Sequence, residues 1–120
     1  MRQALPRLFL DHFHDTSFVA EDGHELCGFL VGFVSPANRQ DAYVHFVGVD
    51  PARRRSGLGR ELYERFFALA RDDGRSRVRA VTAPVNEGSI AFHRRLGFSA
   101  REVPDYDGPA SAKVVLERTL

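Results

Sequence analysis

Hydrophobic positions change period several times along the chain, and each change marks an element. Leu5, Leu8, Phe9 and Phe13 share one helical face, so a short helix is expected over residues 6–13, with Pro6 in its first turn. Thr16 to Glu21 reads as a strand, and Asp22-Gly23 as a hairpin turn. Glu25 to Val34 is apolar on both faces, which predicts a central strand. A polar loop from Ser35 to Asp41 leads to a third strand, Ala42 to Val49, ended by Asp50-Pro51. Leu58, Leu62, Phe66 and Leu69 then recur at helical spacing and predict an amphipathic helix from Leu58 to Ala70, stopped by Gly74. Glu61 and Arg65 add an i,i+4 pair on its outer face. Arg77 to Thr82 is a fourth strand, a second helix opens at Asn86, and Ser99 to Val103 and Lys113 to Arg118 close the chain as strands. The stretch Pro104-Asp105-Tyr106-Asp107-Gly108-Pro109 between them is a loop by composition.

The order strand, strand, strand, helix, strand, helix, strand, strand predicts an α/β fold with a mixed, mostly antiparallel central sheet flanked by helices. A length of 120 residues predicts one domain, residues 1–120, and a hydrophobic fraction of 43% is enough for a real core. Ten Phe and no Trp make that core rich in phenyl rings. The formal net charge of +1 argues against a general nucleic-acid binder. The basic residues are clustered instead, at Arg53 to Arg55, Arg75 to Arg79, and Arg94-Arg95. A solvated face accounts for each cluster, and it is the preferred reading of Arg75 to Arg79. Cys27 is the only cysteine, so no intrachain disulfide forms. Its apolar surroundings suit a small core residue, and its solitude suits a reducing compartment, the cytoplasm. No apolar run is long enough to span a membrane, and the N-terminus has no apolar signal core. His12, His14 and His24 have no carboxylate or cysteine partner at ligand spacing, so no metal site is expected.

The stretch Arg53-Arg54-Arg55-Ser56-Gly57-Leu58-Gly59-Arg60 lies between the third strand and the first long helix. A glycine-containing basic loop ahead of a helix N-terminus suits a bound phosphate, because amides point inward and the helix dipole favours negative charge. A P-loop requires Lys-Ser/Thr after its second glycine, whereas Arg60-Glu61 follows Gly59. A dinucleotide fingerprint requires a third small residue where Leu62 stands. A relaxed turn carrying solvated arginines remains the plain alternative.

A second block is Asn86-Glu87-Gly88-Ser89-Ile90-Ala91-Phe92-His93-Arg94-Arg95-Leu96-Gly97-Phe98. Asn86 is a good N-cap, Phe92 and Leu96 share a face, and Gly97-Phe98 suits a left-handed helix end with its hydrophobic contact. The pattern Arg54-x-x-Gly57-x-Gly59 and this Asn-to-Leu-Gly-Phe helix together resemble the two signatures of the GCN5-related N-acetyltransferase (GNAT) superfamily. The resemblance covers about Thr16 to Leu120. It departs in two places. The family normally begins with a further strand and helix, and this chain has no room for both, so its first strand is expected to be missing; and a Tyr commonly stands where this chain has His93.

The resemblance implies acetyl-coenzyme A as cosubstrate and an amine acceptor, a small molecule or a peptide, with no nucleic acid and no membrane among the partners. Amides of Arg54, Arg55, Ser56, Gly57, Leu58, Gly59 and Arg60 would hold the pyrophosphate. The backbones of Val47 and Val49 would pair with the pantetheine arm, with Gly48 permitting a bulge where the strand splays, and Asn86 would contact the cosubstrate through its side chain. Acetyl transfer needs a neutral amine, and with a pKa of about 10.4 only roughly one lysine-like amine in a thousand is neutral at pH 7. His45 is the base candidate, because alternation puts Tyr43, His45 and Val47 on one face ahead of the loop and relatives place a histidine at this offset. A half-buried strand histidine is the competing reading. His93 is the acid candidate for the departing thiolate, against a helix-surface histidine beside Arg94 and Arg95. Tyr106 and Asp107 lie in a loop that faces acceptors in the family, although a solvated turn explains them equally simply. No covalent nucleophile stands near the motifs, so direct attack in a ternary complex is expected. The rival class is a GNAT-like module that binds acyl-coenzyme A without transfer. A missing first strand would leave the Thr16–Glu21 strand at a sheet edge, so a homodimer through the N-terminal region is expected.

Overall fold

A computed structural model describes residues 16–22, 25–51 and 57–120. The helix expected over residues 6–13, Gly23 of the hairpin turn and the loop residues Arg54, Arg55 and Ser56 lie outside the described residues. Eight elements follow in the expected order: β1 (Phe18–Asp22), β2 (Glu25–Val34), β3 (Asp41–Val49), α1 (Leu58–Asp72), β4 (Arg77–Thr82), α2 (Glu87–Arg95), β5 (Ser99–Val103) and β6 (Lys113–Thr119). Among the described residues the strands form one six-stranded sheet in the order β1-β2-β3-β4-β6-β5, with β1 and β5 at its edges. Only β3 and β4 pair parallel; the other neighbours are antiparallel.

Both helices cover one face of this sheet. Leu62, Tyr63, Phe66, Phe67 and Ala70 of α1 are buried and join Leu30, Val44, Val78, Leu96, Phe98 and Leu116 in one core cluster. The fit against β2 is close: a Cβ added at Gly32 would stand 2.6 Å from Cε1 of Phe66, so a side chain there would push the helix off the strand. β2 is buried on both faces, as its unbroken apolar run predicts, and Cys27 is a core residue.

Helix ends follow their sequence signals. Asn86 caps α2 by accepting the Ser89 amide at 3.3 Å. At the other end the Phe98 amide donates to the His93 carbonyl and the Gly97 amide to the Arg94 carbonyl, the paired bonds of a Schellman motif. α1 runs two residues past Ala70, to Asp72, before Gly74 ends it at φ 77°.

Two expectations are corrected. The segment Arg75 to Arg79 is not a solvated face. Arg75 donates to the carbonyls of Ser35 (2.8 Å) and Asn38 (3.2 Å), and Arg77 meets Asp41 at 2.5 Å and Glu117 at 3.5 Å. Arg79 reaches both of the same carboxylates. Sheet order explains this, since β4 lies between β3 and β6 and its arginines bridge carboxylates supplied by both neighbours. The second correction concerns β3. Its register slips where Val31 faces Phe46 while Gly32 faces Val44, which makes His45 the extra residue of a bulge. The bulge is therefore at His45 and not at Gly48.

Candidate functional site

The bulge reverses the alternation along β3. Ala42 and Val44 face the helices from the first half of the strand, and Tyr43 stacks on Phe33 at 5.3 Å on the other side. Beyond the bulge Val47 packs against the helix-side core. Tyr43, His45 and Val47 thus do not share a face, contrary to simple alternation. His45 is exposed, with its ring edge-on to Phe46 at 4.5 Å, and partial desolvation moves its pKa below the ordinary 6.5.

The same point is where β3 leaves β4. The parallel ladder joins Asp41–Val44 to Arg77–Ala80 and goes no further. β3 continues to Val49 on β2 alone, so among the described residues the stretch from Phe46 to Val49 has no partner in β4. The two strands open as a wedge, with backbone groups of Val47 and Val49 along one wall.

The N-terminus of α1 lies beside the end of β3, at the wide end of that wedge, where Gly59 approaches Val49. Gly57 is the N-cap at φ 85°, left-handed backbone that a β-branched residue resists, and among the described residues no atom beyond its chain neighbours lies within 4 Å of where its Cβ would be. Gly59 has a different role. A Cβ there would stand 2.9 Å from Cζ of Phe92 and 3.6 Å from Cγ2 of Val49, so its bare backbone lets α1, α2 and the end of β3 meet. Leu58 is half-buried against the core. Arg60 is exposed, 3.9 Å from Glu64, and donates to the Arg95 carbonyl at 3.4 Å, which turns it along the outside of α2.

His93 is neither on the helix surface nor near solvent. It is 3% exposed, with the rings of Tyr63, Phe92 and Phe98 edge-on around it at 5.1 to 5.4 Å. Nδ1 lies 2.7 Å from the Ser89 carbonyl, which accepts only, so Nδ1 carries the proton. Nε2 then accepts from the Tyr63 hydroxyl at 2.6 Å. Burial pushes the His93 pKa below 6.5 and raises that of Tyr63 well above its ordinary value. A neutral imidazole with both nitrogens committed inside the protein has no proton to pass to a thiolate. Sequence reasoning missed Tyr63, which reads as one more apolar position of α1.

Burial, joined by the nearby Tyr106 and Asp107 and opposed by Arg79, holds the Tyr43 phenol above its ordinary 10.0. Tyr106 is exposed, and Asp107 lies 3.9 Å from Lys113. A separate open cleft of about 570 Å³ runs along the outer side of α2, lined by Ile90, Ala91, Arg94, Ala100, Glu102 and Val114 among others. None of the expected site residues that the structure describes lines it.

Comparison with known proteins bears on the family and the fold. Residues 2–98 match the model of the acetyltransferase (GNAT) family. An L-2,4-diaminobutyric acid acetyltransferase of Shouchella clausii is 30% identical over 92 residues, 77% of this chain and 52% of that protein. The chain thus spans about half the length of that relative. Among solved structures, Ard1 from Thermoplasma volcanium superposes with a TM-score of 0.82 at 27% identity, covering 98% of this chain and 79% of that one. The structure of yncA from Salmonella typhimurium, with its cofactor acetyl-CoA, superposes with a TM-score of 0.71 at 25% identity, covering 87% of this chain and 64% of that one.

Proposed function

The chain belongs to the GNAT acetyltransferase family, and on that premise we propose that it transfers an acetyl group from acetyl-coenzyme A to a primary amine by direct attack in a ternary complex. The observation that carries the reading is the wedge between β3 and β4 with the N-terminus of α1 at its wide end. A helix N-terminus offers amides and a positive dipole end to a pyrophosphate, and the parted strand offers backbone groups to an amide-bearing arm. Arg54, Arg55, Ser56, Gly57, Leu58, Gly59 and Arg60 supply the anion site in this reading. Val47 and Val49 line the arm. The Asn86 oxygen serves the helix cap, so its amide nitrogen is the group left for a cosubstrate contact.

Acetyl-coenzyme A supplies an activated acyl group on sulfur. The amine forms the new C–N bond, the C–S bond breaks, and the amine proton leaves through His45. An exposed histidine with a pKa below 6.5 is neutral at pH 7 and ready to accept. His93 is not assigned the acid role, for the geometric reason above, and solvent at the open wedge is left to protonate the thiolate. The acceptor class is a small-molecule or peptide amine, in keeping with the diamino acid in the name of the Shouchella clausii relative.

We also place the protein in the cytoplasm and as a homodimer. The lone Cys27, buried in the core, suits a reducing compartment. No described helix is long and apolar enough to cross a membrane. β1 lies at the sheet edge with Val19 48% exposed, which suits pairing with a second chain.

The test is free-thiol release from acetyl-coenzyme A against a panel of diamines, amino acids and N-terminal peptides. Amine-dependent release supports the transferase. Tight acetyl-coenzyme A binding with no release on any acceptor would instead mean a binding module.

A further inference from the structure

We propose that Tyr63 and His93 form a positioning pair that holds α1 against α2 and thereby sets the spacing of the two helix N-termini that face acetyl-coenzyme A. The proposal rests on the reading of the site given above. The two helices meet along one seam. At its upper end Gly59 lies under Phe92, with room for no side chain between them. One turn further along α1, the Tyr63 hydroxyl donates to Nε2 of His93. A turn beyond that, Phe67 meets Phe98 at 6.1 Å. Of these three contacts along the seam the middle one is polar and directional; the Arg60 bond to the Arg95 carbonyl, at 3.4 Å, also joins the helices but lies exposed on their outside. The first and third are apolar contacts that tolerate sliding.

Both ends of the seam matter to the wedge. α1 opens at Gly57 beside the expected pyrophosphate site, and α2 opens at Asn86. The imidazole is itself anchored within α2, because Nδ1 donates to the carbonyl of Ser89, whose own amide is bound by the Asn86 side chain. A continuous set of hydrogen bonds therefore runs from Tyr63 in α1, through His93 and Ser89, to the residue that caps α2. Displacing the imidazole moves the cap and α1 relative to each other. Tyr63 is fully buried and His93 nearly so, so neither group reaches the reacting atoms. They act through the helices they join.

Tyr63→Phe keeps the ring among Phe67, Phe92 and Phe98 but deletes the hydroxyl. The expected result is acetyl-coenzyme A binding about tenfold weaker by calorimetry, with kcat at saturating acetyl-coenzyme A within about twofold of wild type. The double variant Tyr63→Phe/His93→Leu removes both polar partners, so it should regain much of the melting temperature that Tyr63→Phe loses without regaining affinity. A Tyr63→Phe protein with lowered melting temperature but unchanged affinity would reduce the pair to a structural role. Loss of kcat at constant affinity, with a moved alkaline limb, would make it a proton path and overturn the proposal. If Tyr63→Phe does not fold, the wild-type imidazole decides by nitrogen NMR. Protonation at Nδ1 with Nε2 as acceptor is expected, and the opposite tautomer removes the pair. Wild-type protein that does not bind acetyl-coenzyme A at all would overturn the site reading itself, a result distinct from any variant effect.

Discussion

His45 and His93 show how differently one residue type is used 48 positions apart. His45 stands out from a bulge, exposed, at the point where two strands part. His93 is sealed among three rings with both nitrogens occupied. If His45 is the base, His45→Ala should lower turnover by roughly 10²–10⁴ while acetyl-coenzyme A affinity stays near wild type. Its pKa is lowered by desolvation, so the neutral, accepting form persists to a pH below 6.5 and the acidic limb of the rate profile should inflect there. Wild-type turnover and an unmoved limb in His45→Ala would remove it from the mechanism. The prominence of His45 was legible in the sequence, because a histidine in an apolar strand just before a basic glycine loop stands out. Its bulge was not, since bulging depends on how β2 and β3 pair and no glycine marks the site. The burial of His93 was hidden for a related reason: its partner phenol lies 30 residues away and looks like any other apolar position of α1.

At the scale of elements, the two glycines that open α1 carry separate loads. Gly57 has left-handed backbone and no described residue crowding its Cβ position, whereas Gly59 has an ordinary conformation and Phe92 against it. Gly57→Val should therefore weaken acetyl-coenzyme A binding at least about tenfold, or 1.4 kcal/mol, and affect fold stability less. Gly59→Val drives a side chain into Phe92 and should cost about 1–3 kcal/mol of stability in thermal or denaturant unfolding. Equal effects of the two on both measurements would mean that the loop and the seam are not distinct. Strand and helix positions were largely readable because apolar period, Asn86, Gly74 and Gly97 are local signals. The Arg77 and Arg79 network was not, because its carboxylates Asp41 and Glu117 come from strands 36 or more residues away and become neighbours only through the sheet order.

Among the described residues of the whole molecule β1 is an edge strand, where Phe18 and Ala20 turn toward the core and Val19 outward. Neither Lys nor Pro in Phe18–Asp22 discourages a second strand. Light scattering should show a dimer at micromolar concentration, weakened by deletion of residues 1–14. A stable, active monomer would exclude the edge as an interface. The wedge has a consequence at this scale as well. β1, β2 and β3 pair antiparallel among themselves, as do β4, β5 and β6, and among the described residues only four ladder pairs, between β3 and β4, join the two sets. Those pairs bring together residues 36 apart, so they close a loop whose entropy is lost before the contact is gained. Folding should then be limited by the joining of two preformed half-sheets. Amides at the β3–β4 junction would gain protection from hydrogen exchange last, and uniform protection across all six strands in a pulse-labelling experiment would contradict that order. The opening that admits a cosubstrate thus also sets the slow step by which the chain becomes one sheet.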